Sequence, residues 1–208
     1  MSRFVVVAGG SSPPLRLPLP DPSSVVVAAD SGADRIRAAG WPVHHLVGDL
    51  DSVSAEAEAY CADHGAAIHR HRPDKDHTDL ELALDLAVAA GATEIQVDLD
   101  PGGRLDHLLV ACHVLAAPAF ASARIDAVAG PTTISVVRDR RTIGGEAGDL
   151  VTLLAIGGPA RLRTRGLVYT LDDEWLEATS GRGLSNLIGQ APAEVEVTDG
   201  VALVIRPG

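Results

Sequence analysis

"TDLELALDLAVAAGATEIQVDLDPGG", residues Thr78 to Gly103, sets a helix and a strand in close succession. Leu80, Leu84, Ala87 and Val88 recur at helical spacing, and Gly91 follows as a stop. Thr78 and Glu81 stand three apart at the start. In that pattern the hydroxyl accepts from a first-turn amide and the carboxylate reaches back. Glu94 to Leu99 then read as a strand that runs into a Gly-Gly loop.

The same alternation extends to both sides. Upstream, Phe4–Ala8, Val25–Ala29, His45–Val47 and Ile68–Arg70 read as strands, with helices over Ala33–Ala39 and Ser54–His64. Ser54 is placed to cap its helix. Downstream come a helix over His107–Ala116 and a strand over Ile125–Ala129. Alternating strands and helices predict an α/β N-terminal domain with a mainly parallel sheet over residues 1–130. Ligands in such sheets lie beyond the carboxyl ends of the strands. Asp30, Asp49 and "DPGGRLDH" all fall there. The stretch 11–22, "SSPPLRLPLPDP", holds five prolines and is predicted to be a surface loop.

From Thr132 the period drops to two. "TTISVVRD", "DLVTLLAIG" and "ARLRTRGLVYTL" read as strands. "EVEVTDGVALVI" reads as a hairpin turning at Asp199-Gly200. A smaller antiparallel β domain over residues 131–208 is expected, with the boundary near Gly130-Pro131.

The chain has 208 residues, 46% hydrophobic and 22% charged, with a net charge of −11. That acidity argues against a nucleic-acid partner, whose affinity comes from neutralising phosphates. It suits acid clusters that need a divalent cation before an anionic ligand can approach. Cys61 and Cys112 sit in expected helices and read as small buried hydrophobes rather than a disulfide. No apolar run is long enough for a signal peptide or a membrane span. A cytoplasmic protein with no membrane partner is expected.

Four clusters could bear chemistry. In "VGDLDSVS", Asp49 and Asp51 stand two apart at a strand end. On extended backbone they would face the same way and could share one hard cation, magnesium rather than zinc. The alternative is a plain turn, with Asp49 in an Asx-turn and Asp51 capping. The second cluster is Asp74, Lys75, Asp76, Thr78, Asp79 and Glu81, where Asp79 also suits the positive end of a helix. The third, "PGGRLDH", offers Arg104 as a phosphate clamp, Asp106 as a cap for the next helix, and His107. The fourth, "GRGLSNLI", offers Ser185 and Asn186, and Trp175 could stack on a ligand or fill the small core. Phosphate-loop, dinucleotide and serine-hydrolase motifs are absent. Together the clusters suggest magnesium-dependent chemistry on a phosphate ester.

The ordered motifs resemble the thiamine pyrophosphokinase (thiamin diphosphokinase) family. "ADSGAD" (Ala29–Asp34), "GDLDS" (Gly48–Ser52), "KDHTDLELAL" (Lys75–Leu84), "GGRLDH" (Gly102–His107), "GLVYTL" (Gly166–Leu171) and "GLSN" (Gly183–Asn186) follow the family's order across nearly the whole chain. The resemblance implies an α/β catalytic domain followed by a β-sandwich-like thiamine-binding domain. It also implies a homodimer with thiamine held between subunits, and transfer of a diphosphoryl group from ATP to thiamine, giving thiamine diphosphate and AMP. By position, Asp49, Asp51 and Asp79 would be the magnesium (Mg2+) and catalytic acids. Asp30 would sit in the nucleotide–thiamine site. Thr78 and Arg104 would lie near the phosphates, with Lys75 and Asp106 as further cofactor-binding candidates, and Ser185 and Asn186 would come toward thiamine. Ser31, Asp34 and Leu187 depart from the family pattern, and "LLVACH" lacks an asparagine often found after "GGRLDH". The rival readings are a magnesium-dependent nucleotide or sugar-phosphate hydrolase, and a nonenzymatic thiamine or nucleotide sensor.

Overall fold

A computed structural model describes residues 2–10, 14–74 and 76–208. The chain divides into two compact units. One is Met1–Val114 with Ser122–Gly130, and the other is Leu115–Ala121 with Pro131–Gly208.

The first unit contains β1 (Arg3–Val7), β2 (Val25–Ala29), α1 (Gly32–Ala39), β3 (His45–Gly48), α2 (Ala55–Asp63), β4 (Ala67–Arg70), α3 (Asp79–Ala89), β5 (Glu94–Leu99), α4 (Leu105–Leu115) and β6 (Arg124–Ala129). The strands lie in the order β6-β5-β1-β2-β3-β4, and every pairing among them is parallel. The chain steps outward from β1 to β4, then returns to the other side of β1 with β5 and β6. That reversal makes a crevice at the carboxyl ends of β1, β2 and β5, where ligands bind in such folds. Val5, Val7, Val26, Ala28 and Leu46 share one buried cluster with Ala33 and Ile36 of α1 and Ala57 and Cys61 of α2.

Local chemistry sets the helix starts. Thr78 and Glu81 form the expected reciprocal cap: Thr78 Oγ1 accepts from the Glu81 N–H at 3.2 Å, and Glu81 Oε2 accepts from the Thr78 N–H at 2.7 Å. Ser54 accepts from Ala57 N–H at 3.1 Å and caps α2. Leu80 and Leu84 are buried beneath α3, each contributing about 2 kcal/mol of apolar burial. Gly32 opens α1 because a Cβ there would lie 2.1 Å from the Val7 carbonyl oxygen. Helix α4 starts at Leu105, two residues before the expected His107. Asp106 therefore lies inside the first turn, where a carboxylate favours the positive helix end, rather than serving as the cap.

The second unit contains β7 (Thr132–Val137), β8 (Arg140–Ile143), β9 (Leu150–Ala155), β10 (Ala160–Arg165), β11 (Asp172–Leu176), β12 (Asn186–Leu187), β13 (Ala193–Asp199) and β14 (Ala202–Arg206). Its strands form two antiparallel layers, β12-β9-β14-β7 and β11-β10-β13-β8. The hairpin expected at Asp199-Gly200 does not form. β13 pairs with β10 and β8, while β14 pairs with β7 and β9. Val195 and Val197 share one core with Ala202 and Val204. Placing the two strands in opposite layers lets their apolar sides cover each other, which one flat hairpin could not do. Likewise the stretch from Ala160 to Leu171 is not one strand. It stops at Arg165, and Gly166 turns the chain with φ 73°. Trp175 is 47% exposed, so it does not fill the core.

Candidate active site

A cavity of about 630 Å³ opens at the strand ends of the first unit. Asp30 follows β2, Asp49 follows β3 and Asp79 begins α3, and all three line the cavity. Each offers one carboxylate oxygen, and these oxygens lie within 4.8 Å of one another. Parallel pairing produces the meeting: Ala29 is in register with Val47, and the Asp30 N–H donates to the Val47 carbonyl at 2.8 Å. Gly48 leaves the room. A Cβ there would sit 3.0 Å from Asp79 Oδ1 and 3.3 Å from Asp30 Cβ.

Asp30 has left-handed backbone, φ 49°, and is 9% exposed. Its Oδ2 accepts from the Ser52 hydroxyl. Its Oδ1 is buried with no hydrogen-bond partner among the described residues. A buried carboxylate oxygen without a donor is costly, and three neighbouring carboxylates repel unless a cation or proton relieves them. An all-oxygen donor set with one orphaned buried oxygen fits a hard divalent cation such as magnesium.

Asp51 stands apart from this trio. Leu50 is buried with φ 63°, a left-handed conformation that costs a branched residue about 1–2 kcal/mol. It breaks the extended geometry that would have aimed Asp49 and Asp51 together. The Asp51 N–H instead donates to Asp49 Oδ1 at 3.3 Å, and the exposed Asp51 side chain lines a neighbouring, shallower cavity with Asp34 and Ser54.

Arg104 and Asp106 also line the cavity. They pair through two contacts, Nε–Oδ1 at 3.1 Å and Nη2–Oδ2 at 2.5 Å. The hydrogen bond and charge of Asp106 raise the Arg104 pKa, and the hydrogen bond from Arg104 holds the Asp106 carboxyl below its ordinary range. Both side chains are exposed, so the pair is weak enough for an incoming anion to displace. Thr78 lines the cavity, but its hydroxyl is committed to Glu81. Lys75 lies outside the described residues.

Ser185 and Asn186 belong to the second unit. Asn186 is 4% exposed, and its amide is spent on the backbone. Its NH2 donates to the Tyr169 carbonyl at 2.7 Å, and its Oδ1 accepts from Tyr169 N–H and Leu187 N–H at 3.0 and 2.8 Å. Ser185 is exposed, with φ 56°.

Asp100 is a cavity residue that the motifs did not single out. Gly102 N–H donates to its Oδ1 at 2.9 Å, and a Cβ on Gly10 would fall 2.3 Å from its carboxylate. Gly10 and the Gly102-Gly103 pair thus close around one carboxylate, and glycine pairs after two strand ends were the available signal.

Residues 18–127 match the model of the thiamin pyrophosphokinase catalytic domain, and residues 132–202 match the model of that family's vitamin B1 binding domain. The chain belongs to the thiamin pyrophosphokinase family. The thiamine pyrophosphokinase of Bacillus subtilis is 32% identical over 113 residues, 52% of either protein, so the match spans about half the length of that relative. The structure of a thiamin pyrophosphokinase family protein from Enterococcus faecalis superposes with a TM-score of 0.82 at 24% identity, covering 100% of this chain and 99% of that one. The thiamin pyrophosphokinase of Geobacillus thermodenitrificans gives 0.78 at 25% identity, with 99% and 97% covered.

Within this family frame, two departures acquire structural roles. Asp34 accepts from both the N–H and the hydroxyl of Ser54 and so braces the start of α2. Ser31 precedes α1 without a side-chain capping bond, and its hydroxyl would lie 2.7 Å from a Cβ on Gly9. Glycine at position 9 makes space for serine at position 31. No helix among the described residues is long and apolar enough to cross a membrane.

Proposed function

We propose that this chain transfers a diphosphoryl group from ATP to the hydroxyl of thiamine, releasing AMP. The observation that supports the reading most is the trio Asp30, Asp49 and Asp79, with Asp30 Oδ1 lacking a donor, in a family member's strand-end cavity. Those three carboxylates would hold magnesium. When bound, magnesium neutralises phosphate charge and polarises the phosphoryl oxygens.

The remaining work falls to the chain. Arg104, released from Asp106, pairs with phosphate oxygens through its fork of donors. The thiamine hydroxyl oxygen bonds to the β-phosphorus as the bond from that phosphorus to the α,β-bridging oxygen breaks, and AMP leaves with that oxygen. The hydroxyl proton passes to a carboxylate of the cavity and then to water. The net negative charge of the chain favours the approach of the cationic thiazolium. The active assembly in this reading is a homodimer, for which sedimentation gives the mass. Ser185, exposed and bonded through its N–H to the Thr152 hydroxyl, offers its own hydroxyl to thiamine in this reading.

The deciding experiment incubates the protein with ATP and thiamine, with and without magnesium, and separates products by chromatography. Equimolar thiamine diphosphate and AMP, only with magnesium, is the expected result. Phosphate or ADP without thiamine diphosphate would replace it with a hydrolase. Ligand binding without any product would leave a sensor.

A further inference from the structure

Arg35 and Asp98 take no part in the chemistry above, yet they form a buried ion pair. Arg35 Nη2 lies 2.5 Å from Asp98 Oδ1, with the side chains 4% and 0% exposed. Arg35 Nη1 donates to the main-chain oxygens of Ala8 and Asp98 at 3.0 and 3.2 Å. Asp98 Oδ2 accepts from the N–H groups of Arg16 and Leu17 at 2.7 and 3.0 Å. One guanidinium and one carboxylate therefore tie together the ends of β1 and β5 and the proline-rich stretch. Leu15 and Leu17 of that stretch pack against the cluster beneath α1 and α2.

As a stabiliser the pair is poor. Arg35 Nε is buried with no hydrogen-bond partner among the described residues. Desolvating two charges and an orphaned donor generally leaves an ion pair no better than a well-packed apolar pair. What it supplies is geometry. The residues that follow each clamped point line the cavity: Gly9 and Gly10 after Ala8, Leu99 and Asp100 after Asp98.

We propose that Arg35 and Asp98 are positioning residues for nucleotide binding. They set the spacing of the Gly9-Gly10 and Leu99-Asp100 loops around the phosphates and hold residues 14–22 as a fixed strap beside them. This rests on the ATP-dependent reading above.

The test replaces the pair with apolar residues, Arg35→Met with Asp98→Leu, which keeps the interior filled. The melting temperature is expected to fall by no more than several degrees, because the Ala8 carbonyl and the Arg16 and Leu17 N–H groups lose their partners. The KM for magnesium–ATP is expected to rise about tenfold while kcat stays within about twofold, the pattern of lost ground-state binding. Residues 14–22 are expected to become cleavable by protease, where the wild type is protected. A second variant spares the pair: Arg16→Pro removes one strap N–H, while Arg16→Gln keeps it. The proline variant should raise KM and cleavage, and the glutamine variant should match wild type. Calorimetric affinity for magnesium–ADP is measured alongside. If the wild type shows no turnover, the kinase reading fails, while affinity and strap protection still judge this proposal. Wild-type nucleotide affinity and a protected strap, in the folded double variant or in Arg16→Pro, overturn it. If the double variant does not fold, Arg16→Pro decides.

Discussion

Asp30 in the first unit and Asn186 in the second are buried to a similar degree, and their hydrogen bonds differ in kind. Asn186 gives every polar atom of its amide to neighbouring backbone, pinning Tyr169 and Leu187. Asp30 gives one oxygen to Ser52 and leaves the other without a donor. A satisfied buried amide rigidifies a fold. An unsatisfied buried carboxylate beside two others stores free energy that a ligand can release. Both residues lie within the ranges matched to the family's two domain models, so a match alone does not tell binding from bracing.

Several measurements would break or sharpen that contrast. The largest effect is expected for Asp79→Asn: kcat falls by about 10³, roughly 4 kcal/mol of transition-state stabilisation, while the melting temperature holds or rises because like charge is relieved. Asp51→Asn, outside the trio, should cost about tenfold or less in the same assay. Equal losses would return Asp51 to the group and undo the division made at Leu50.

Asn186→Ala is expected to act in the opposite currency. Three backbone groups lose their partner, a cost of about 2–3 kcal/mol, seen as a melting temperature lower by several degrees. Turnover per folded molecule should change little. A loss of kcat with unchanged stability would move Asn186 from bracing to binding.

Arg104→Ala should raise the KM for ATP about tenfold and barely alter melting, since its exposed pair with Asp106 contributes little to stability. The smallest effect concerns pH. Burial, then the charges of His69 and His44, lower the His45 pKa from its ordinary 6.5, and His45 Nδ1 lies 3.1 Å from His69 Nε2. Below pH 6.5 the unfolded chain therefore binds a proton that the folded chain resists, so stability falls as pH drops through that window. Denaturant titrations of His45→Gln should show a shallower fall than wild type below pH 6.5. Parallel curves would remove His45 as the cause.

Much of the first unit was legible because helical and strand periods are local properties. The Thr78–Glu81 cap and the Ser54 cap could be read from residue type and spacing, and both formed. The D-x-D spacing does not disclose that Leu50, an ordinary apolar residue by composition, takes a left-handed conformation that its type disfavours. The Asp199-Gly200 turn misled for a related reason. A two-strand alternation looks the same whether the strands pair with each other or face across a sandwich, and only the shared core of Val195, Val197, Ala202 and Val204 separates the cases.

The sequence by itself determined the alternating α/β unit, the antiparallel unit after it, and the presence of acids at strand ends. Each of these follows from periodicity or from the chemistry of a short segment. Tertiary structure alone decided which acids meet. Asp30, Asp49 and Asp79 come from three separate segments, and they converge because parallel register sets β2 beside β3 and Gly48 lacks a side chain. Register and close approach are relations between distant residues, and no local pattern encodes them.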